Sequence, residues 1–313
     1  FPYSRLARWI NRSMLLAALG RWIRVAGFRR PIMWTFLPTP LARELMRELD
    51  PELTLYHCTD DFSSSSRQAR RIKGVEDRRV ASEVFDKATL LTLYDLANRG
   101  VIDLLYGVIK TGKEANVLKG YGRGGEPLAV KIHLVGTRNY RAMLKYIDGD
   151  YRFKGVKRST RSVVYTWVKK EFKNMERALE AGVKVPMPIA YKNNVLVMDF
   201  IGRGEVPAPM LKHVFPAEPD RLYRKVLGYM RALYCRAGLV HADLSEFNIL
   251  MRDGTPYIID LSQAVVIEHP QAQEFLRADV RNMANYFRSY LEVDEGEMLK
   301  YITDCRRVKR WST

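Results

Sequence analysis

Apolar residues recur at two different periods along this chain, and the changes of period mark its elements. Between residues 3 and 27, Arg5, Arg8, Arg12, Arg21 and Arg24 sit among apolar residues, the pattern of a basic amphipathic helix. The apolar run from Pro31 to Leu37 predicts a buried strand, Pro40 to Leu49 a helix with Thr39 as N-cap, and Leu53 to His57 a second strand. Together these make one β-α-β unit. Asp60 to Ser66 breaks the pattern, and the charged stretch that follows marks a junction. Asp86 to Asn98 then carries Leu90, Leu93, Tyr94 and Ala97 at helical spacing and stops at Gly100. Strand signals follow at Tyr106–Ile109, Asn116–Lys119 and Leu128–His133. A long basic stretch from Gly136 to Lys170 precedes a helix over Lys169–Ala181, a Pro-containing connection Val183–Ile189 and a strand Asn194–Phe200. Tyr223–Ala237 reads as a helix ended by Gly238, and Asn248–Met251 with Tyr257–Ile259 as a hairpin around Asp253-Gly254. No internal repeat is visible.

Composition narrows the class. The chain has 313 residues, 47% of them hydrophobic, which excludes intrinsic disorder and suits two domains or lobes. No run reaches the ~18 apolar residues needed to span a bilayer. The stretch Met14–Leu19 is far shorter and is followed by no signal-peptide cleavage site. Cys58, Cys235 and Cys305 form no CxxC pair, so a disulfide scaffold and a cysteine zinc site are not expected, and a reducing cytoplasm fits. A formal charge of +17 makes a polyanionic partner reasonable without identifying it.

Three segments carry chemistry. Gly107 to Val117 places glycine, small and basic residues between two strands, so that backbone N–H groups around Gly112 can approach phosphates. It is neither a GxxxxGK[ST] nor a GxGxxG loop, and on its own it is better explained as an ordinary hairpin. Ala129-Val-Lys-Ile132 places a lysine in an apolar strand, where it must leave the core or meet anions. It matches the kinase strand whose lysine grips nucleotide phosphates and pairs with a helix glutamate. Glu171 is the best partner and Glu176 the next. The deciding segment is Leu239-Val-His-Ala-Asp-Leu-Ser-Glu-Phe-Asn-Ile-Leu250, which has the H-x-D-x-x-x-x-N form of a kinase catalytic loop. Asp260, seventeen residues after Asp243 and at a strand end, stands where kinases place the aspartate that holds Mg²⁺.

Thr111-Gly-Lys-Glu-Ala-Asn116, His241-Ala-Asp-Leu-Ser-Glu-Phe-Asn248 and Ile259-Asp-Leu-Ser-Gln-Ala-Val265 together resemble the RIO family of atypical serine/threonine protein kinases, type-one branch, over about residues 75–300. His269-Pro270 and Phe275 to Val280 belong to the same resemblance. It implies a two-lobed α+β kinase-like fold with a truncated C-lobe, using ATP and Mg²⁺, with Mn²⁺ as a substitute. It implies catalytic roles for Lys131, Asp243 and Asp260, and metal binding by Asn248 and Asp260. Lys110, Thr111, Gly112, Lys113, Glu114, Val117 and Lys131 would line the nucleotide, with Met198, Phe200 and Ile201 at the hinge against adenine and Glu171 as the lysine's partner. Lys110 departs from the family, which usually has serine there. The resemblance further implies a cytoplasmic maturation factor of the small ribosomal subunit, contacting its precursor and rRNA, acting largely as an ATPase and able to carry phosphate on Asp260.

The spacings add to this. Only 53 residues follow Asp260 and no A-P-E segment occurs, so the usual platform for a peptide substrate is short. An ATPase or self-phosphorylating switch fits better than an ordinary protein kinase. An ATP-sensing ribosome- or RNA-binding module without kinase activity is the alternative. The insert between Lys131 and Glu171 interleaves Arg138, Arg141, Lys154, Lys157 and Arg158 with Tyr140, Tyr146, Tyr151 and Phe153, a composition suited to RNA or to a solvated loop.

Residues 1–66 lie outside the RIO pattern. Arg30 to Pro40, Leu49-Asp-Pro51 and Tyr56 to Phe62 resemble a fragment of the N-terminal domain of GT-B glycosyltransferases. The sugar-nucleotide half is missing, so no glycosyltransferase activity is expected. The chain opens on Phe1, and a piece joined by gene fusion or assembly error is expected, with a lineage-specific extension as the alternative. The expected organisation is 1–66 extension, 67–81 basic linker, 82–198 N-terminal helix and N-lobe, 199–205 hinge and 206–313 C-lobe.

Overall fold

The computed structural model describes residues 13–21, 32–35, 48–49, 53–56, 86–136, 140–153, 155–204 and 206–306. The expected linker 67–81, Cys58, Arg138, Lys154 and most of the expected helices over 3–27 and 40–49 lie outside these. Residues 13–21 and 48–49 are helical. No helix among the described residues is long and apolar enough to cross a membrane. The chain forms two compact units, residues 1–134 and 135–313.

In the first unit, strands β1 (Ile32–Thr35) and β2 (Leu53–Tyr56) run parallel, as a β-α-β unit requires. Strand β2 then lies parallel to β3 (Leu104–Thr111), with Leu55 opposite Leu105. Strands β3, β4 (Ala115–Tyr121) and β5 (Pro127–His133) form an antiparallel meander. Helix α1 (Lys87–Asn98) begins where the Asp86 carboxylate accepts the Thr89 N–H at 2.8 Å, and it buries Leu93, Leu96 and Ala97. Gly100, at φ 73°, follows its C-cap.

In the second unit, the basic stretch is largely helical, which corrects the sequence reading. Helix α2 (Tyr140–Ile147) is followed by α3 (Thr160–Glu180), a helix of 21 residues that starts well before the expected Lys169. Ser159 caps α3 by accepting the Ser162 N–H at 3.3 Å. Met143, Ile147, Phe153, Val163, Val164 and Trp167 form a core between these helices. The lysines and arginines hid this stripe because they fill the opposite face. Tyr146 packs edge-on to Trp167 and stacks on Phe275, so two of the four interleaved aromatics, Tyr146 and Phe153, serve packing rather than an RNA surface.

Strands β6 (Pro188–Lys192) and β7 (Val195–Asp199) make a hairpin. The two-residue strands β8 (Gly202–Arg203) and β9 (Val206–Pro207) pair next to it in sequence. Helix α4 (Pro219–Ala232) runs into a π turn, Leu233–Ala237, which Gly238 closes at φ 62°. After β10 (Leu239–Val240), strands β11 (Ile249–Arg252) and β12 (Thr255–Ile258) form the expected hairpin, with Asp253 and Gly254 both at positive φ. Strand β13 (Val265–Val266) then returns to pair with β10. Helices α5 (Ala272–Phe287) and α6 (Glu295–Thr303) complete the unit. Phe275, Leu276, Val280, Met283 and Phe287 of α5 meet Leu244, Ile249, Ile258 and Leu261 in one core, each contributing about 1.5–3 kcal/mol by burial.

The cysteines also depart from expectation. Cys235 and Cys305, 70 residues apart, are bonded as a disulfide that ties the π turn to the segment after α6. Pairing depends on the fold bringing their Cα atoms to 5.3 Å, which no local spacing reveals.

Candidate active site

The first unit holds the loop between β3 and β4. Lys110 pairs with Val117, and Val117 pairs with Lys131, so these three predicted nucleotide residues form one row across β3, β4 and β5. Residues directly opposite in antiparallel strands share a face. Lys131 is only 7% exposed, as expected for a strand lysine inside an apolar run. Lys110, Thr111, Gly112 and Lys113 are exposed, and Glu114 is half-buried. The Gly112 N–H donates to Asn116 Oδ1 at 3.4 Å. A Cβ at Gly112 would lie 2.9 Å from the Ala115 carbonyl oxygen, so the loop's tightness requires glycine.

The second unit holds the remaining predicted residues. Glu171 is buried on α3. Met198 lies in β7, and Phe200 and Ile201 directly after it are buried. The Asp199 N–H donates to the Met187 carbonyl at 2.9 Å, and burial pushes the Asp199 carboxyl above its usual range.

Asp243 is exposed in the loop after β10. Asn248 donates through Nδ2 to the Asp243 carbonyl at 2.8 Å and to its Oδ2 at 3.3 Å. Gln263 Nε2 donates to the same Oδ2 at 3.1 Å. These bonds orient a carboxylate that would act on an attacking group. They also fix the orientation of the Asn248 amide. Asp260 stands at φ 62°, and Ser262 donates through Oγ to Asp260 Oδ1 at 2.6 Å. His241 Nε2 lies 3.1 Å from the Ile259 carbonyl, a contact that braces the loop against the strand end before Asp260.

A carboxylate and an amide oxygen are hard donors, the kind Mg²⁺ takes together with substrate phosphates and water. Among the described residues no group of three His, Cys, Asp or Glu could hold a metal ion. By donor chemistry, Asn248 and Asp260 fit a Mg²⁺ shared with a nucleotide.

Several residues of the site escaped the sequence reading. Asp279 on α5 accepts the N–H of Ala242 at 2.9 Å through Oδ2 and that of Leu244 at 2.8 Å through Oδ1. It thereby clamps both sides of Asp243. Burial pushes its carboxyl up to about 7 against the pull of those two N–H groups, and the Asp243 charge adds to the rise. Its signal was an aspartate in the apolar stripe of Phe275, Leu276, Val280 and Met283. Lys170 and Asn174 lie on the buried row of Val163 and Trp167, and both touch the segment after Asp260.

Of the candidate RNA residues, Arg141, Lys157 and Arg158 are exposed. Arg141 bonds Tyr140 Oη at 3.4 Å, and Arg158 pairs with Asp148 at 3.5 Å.

The profile of the RIO domain matches residues 116–298. The chain is 44% identical over 234 residues to the RIO-type serine/threonine-protein kinase Rio1 of Haloferax volcanii, covering 74% of this chain and 80% of that one. It is 41% identical over 240 residues to the human serine/threonine-protein kinase RIO1, covering 75% of this chain but 42% of the human one. Among solved structures, the Rio2 kinase from Chaetomium thermophilum in an ADP/Mg²⁺-phosphoaspartate complex aligns with a TM-score of 0.54 at 21% identity, covering 86% of this chain and 81% of that chain.

Proposed function

From its membership of the RIO family of atypical serine/threonine protein kinases, and of the type-one branch within it, we propose that this phosphotransferase works as an ATP-driven switch in maturation of the small ribosomal subunit. The observation that carries the reading is the pair of oriented carboxylates. Asp243 is fixed by Asn248 and Gln263, and Asp260 by Ser262. In phosphoryl transfer most of the work is positioning and charge stabilisation, and these residues supply both.

In this mechanism Gly112 and Lys131 bind the phosphates, and Asn248 and Asp260 hold Mg²⁺. Bound there, Mg²⁺ neutralises charge on the phosphate oxygens. Asp243 orients the attacking group and takes its proton when that group is a hydroxyl. In the self-phosphorylating branch, an Asp260 carboxylate oxygen forms a bond to the γ-phosphorus. The bond from that phosphorus to the bridging oxygen breaks, and ADP leaves with the electron pair. Water then hydrolyses the acyl phosphate, returning Asp260 and inorganic phosphate. The same hard donors, Asn248 and Asp260, would also accept Mn²⁺ in place of Mg²⁺. The charge of +17 supports an rRNA partner, and the function assigns the chain to the cytoplasm.

The test is incubation with γ-labelled ATP and Mg²⁺, followed by hydroxylamine. Label that hydroxylamine removes, that Asp260→Asn abolishes and that appears with phosphate release supports the switch. Hydroxylamine-resistant label on a hydroxyl residue moves the reading to ordinary protein-kinase chemistry. Binding of ATP without label or phosphate release moves it to the ATP-sensing RNA-binding module.

A further inference from the structure

The segment that follows Asp260 turns back sharply, with the Ala264 N–H donating to the Leu261 carbonyl at 3.2 Å. This turn is buried at Leu261, Ser262 and Ala264, so its remaining carbonyl capacity must be satisfied by protein. Two side chains of α3 do so. Lys170 Nζ donates to the Ser262 carbonyl at 3.0 Å and also to that of Ala264. Asn174 Nδ2 donates to Leu261 at 2.9 Å and to Ala264 at 2.8 Å. Both side chains are completely buried, and both reach across about ninety residues of sequence.

The Asn174 amide has its orientation set from its other end. Arg152 donates through Nη2 to Asn174 Oδ1 at 2.8 Å, and Arg152 is itself held by Asp150 at 2.6 Å. The Nδ2 group therefore has to face the turn. Burial pushes the Asp150 carboxyl up, but the Arg152 hydrogen bonds and charge, with Lys170 nearby, outweigh it and hold the carboxyl below its usual range.

We propose that Lys170 and Asn174 are positioning residues for phosphoryl transfer, acting through the Leu261–Ala264 turn to hold Asp260 where it binds the nucleotide's metal. The turn leads directly along the chain from the carbonyls these donors hold back to Asp260. Ser262 sits in the middle of it, giving its carbonyl to Lys170 and its hydroxyl to Asp260. Asp260 occupies the left-handed region at φ 62°, a conformation that a non-glycine residue keeps only when its surroundings impose it. The proposal rests on the reading of Asp260 as a metal ligand, and it goes beyond that reading in assigning two residues that touch neither nucleotide nor metal.

The full chain is tested as Lys170→Met, Asn174→Leu, Asp260→Asn and Val168→Ala. Val168 is buried on the same helix and serves as a control for weakened packing. ATP hydrolysis is titrated with Mg²⁺, nucleotide binding is measured with and without Mg²⁺, and thermal unfolding is followed for each variant. Lys170→Met and Asn174→Leu should raise the Mg²⁺ concentration at half-maximal rate by about tenfold, the usual scale for a partner that orients a metal ligand. Nucleotide affinity without Mg²⁺ should change by less than about twofold. Val168→Ala should lower the unfolding temperature without moving the Mg²⁺ midpoint. The proposal is overturned if either clamp variant shows the Mg²⁺ midpoint of Val168→Ala. Should Lys170→Met not fold, Asn174→Leu alone decides, because Lys170 still satisfies Ser262 and Ala264 in it. An unchanged gain in nucleotide affinity on adding Mg²⁺ to Asp260→Asn, which binding reads without turnover, would instead refute the metal-ligand reading itself.

Discussion

Ser262 Oγ donates a hydrogen bond to Asp260 Oδ1 at 2.6 Å, so one carboxylate oxygen is held by the residue two positions further along the chain. Ser262→Ala removes that donor without changing the turn's backbone bonds. The expected result is a Mg²⁺ midpoint for ATP hydrolysis raised by about tenfold. Unfolding in urea should shift by no more than about 1 kcal/mol, the net worth of one hydrogen bond. An unchanged Mg²⁺ titration would show that Asp260 keeps its orientation without Ser262.

Lys170 gives a pH dependence of stability with a definite sign. Burial pushes its amine down to about 7, with the Asp150 charge opposing and the Arg152 charge assisting. In the unfolded chain the amine keeps its ordinary value near ~10.4. Between these values the unfolded state holds a proton that the folded state does not, so stability rises with pH through this window. The limiting slope is about 1.4 kcal/mol per pH unit. Urea midpoints at pH 7, 8 and 9 should therefore rise more for the wild type than for Lys170→Met. Parallel curves would mean that the buried amine keeps its proton.

The Cys235–Cys305 disulfide closes a 70-residue segment, and closing a loop of this size is worth about 4 kcal/mol in the chain-entropy model. Reduction, or Cys305→Ser, should lower the free energy of unfolding by about 2–4 kcal/mol. The check is a urea titration with and without reductant on the wild type and on Cys305→Ser. Reductant should not affect the variant.

Arg141, Lys157 and Arg158 present exposed charge on the segment around α2. Replacing all three by glutamate should weaken binding to an rRNA fragment by about tenfold or more at moderate salt. Each phosphate that the variant no longer neutralises should flatten the dependence of log K on log salt by about 0.7–0.9. Binding isotherms across a salt series check this. An unaltered slope would place the RNA surface elsewhere.

The candidate site groups were legible because their sequence spacing is short and regular. His241, Asp243, Asn248 and Asp260 lie on two short segments joined by the β11–β12 hairpin, whose Asp253-Gly254 turn is itself a local signal. The groups that hold them were not, because their partners are distant in sequence. Asp279 acts 35 and 37 residues from Leu244 and Ala242, and Asn174 acts 87 and 90 residues from Leu261 and Ala264. What the sequence did offer was a polar side chain on a buried helical row, which a reading for charge and motif passes over. The same reading assigned no helix to the basic stretch before Lys169, because its lysines and arginines masked the stripe from Met143 to Trp167.

Ala242 and Asp260 both sit in the left-handed region, at φ 68° and 62°. Glycine is at ease there, whereas other residues incur roughly 1–2 kcal/mol. At Ala242 the surroundings therefore impose what the backbone disfavours, with its N–H held by Asp279, while aspartate at 260 tolerates the region better than most residues. A gene copy released from selection for phosphoryl transfer would be free to drift towards glycine or asparagine at 260, with no loss of fold to restrain it. Glycine or asparagine at this position would then mark a descendant that has kept the shape without phosphoryl transfer.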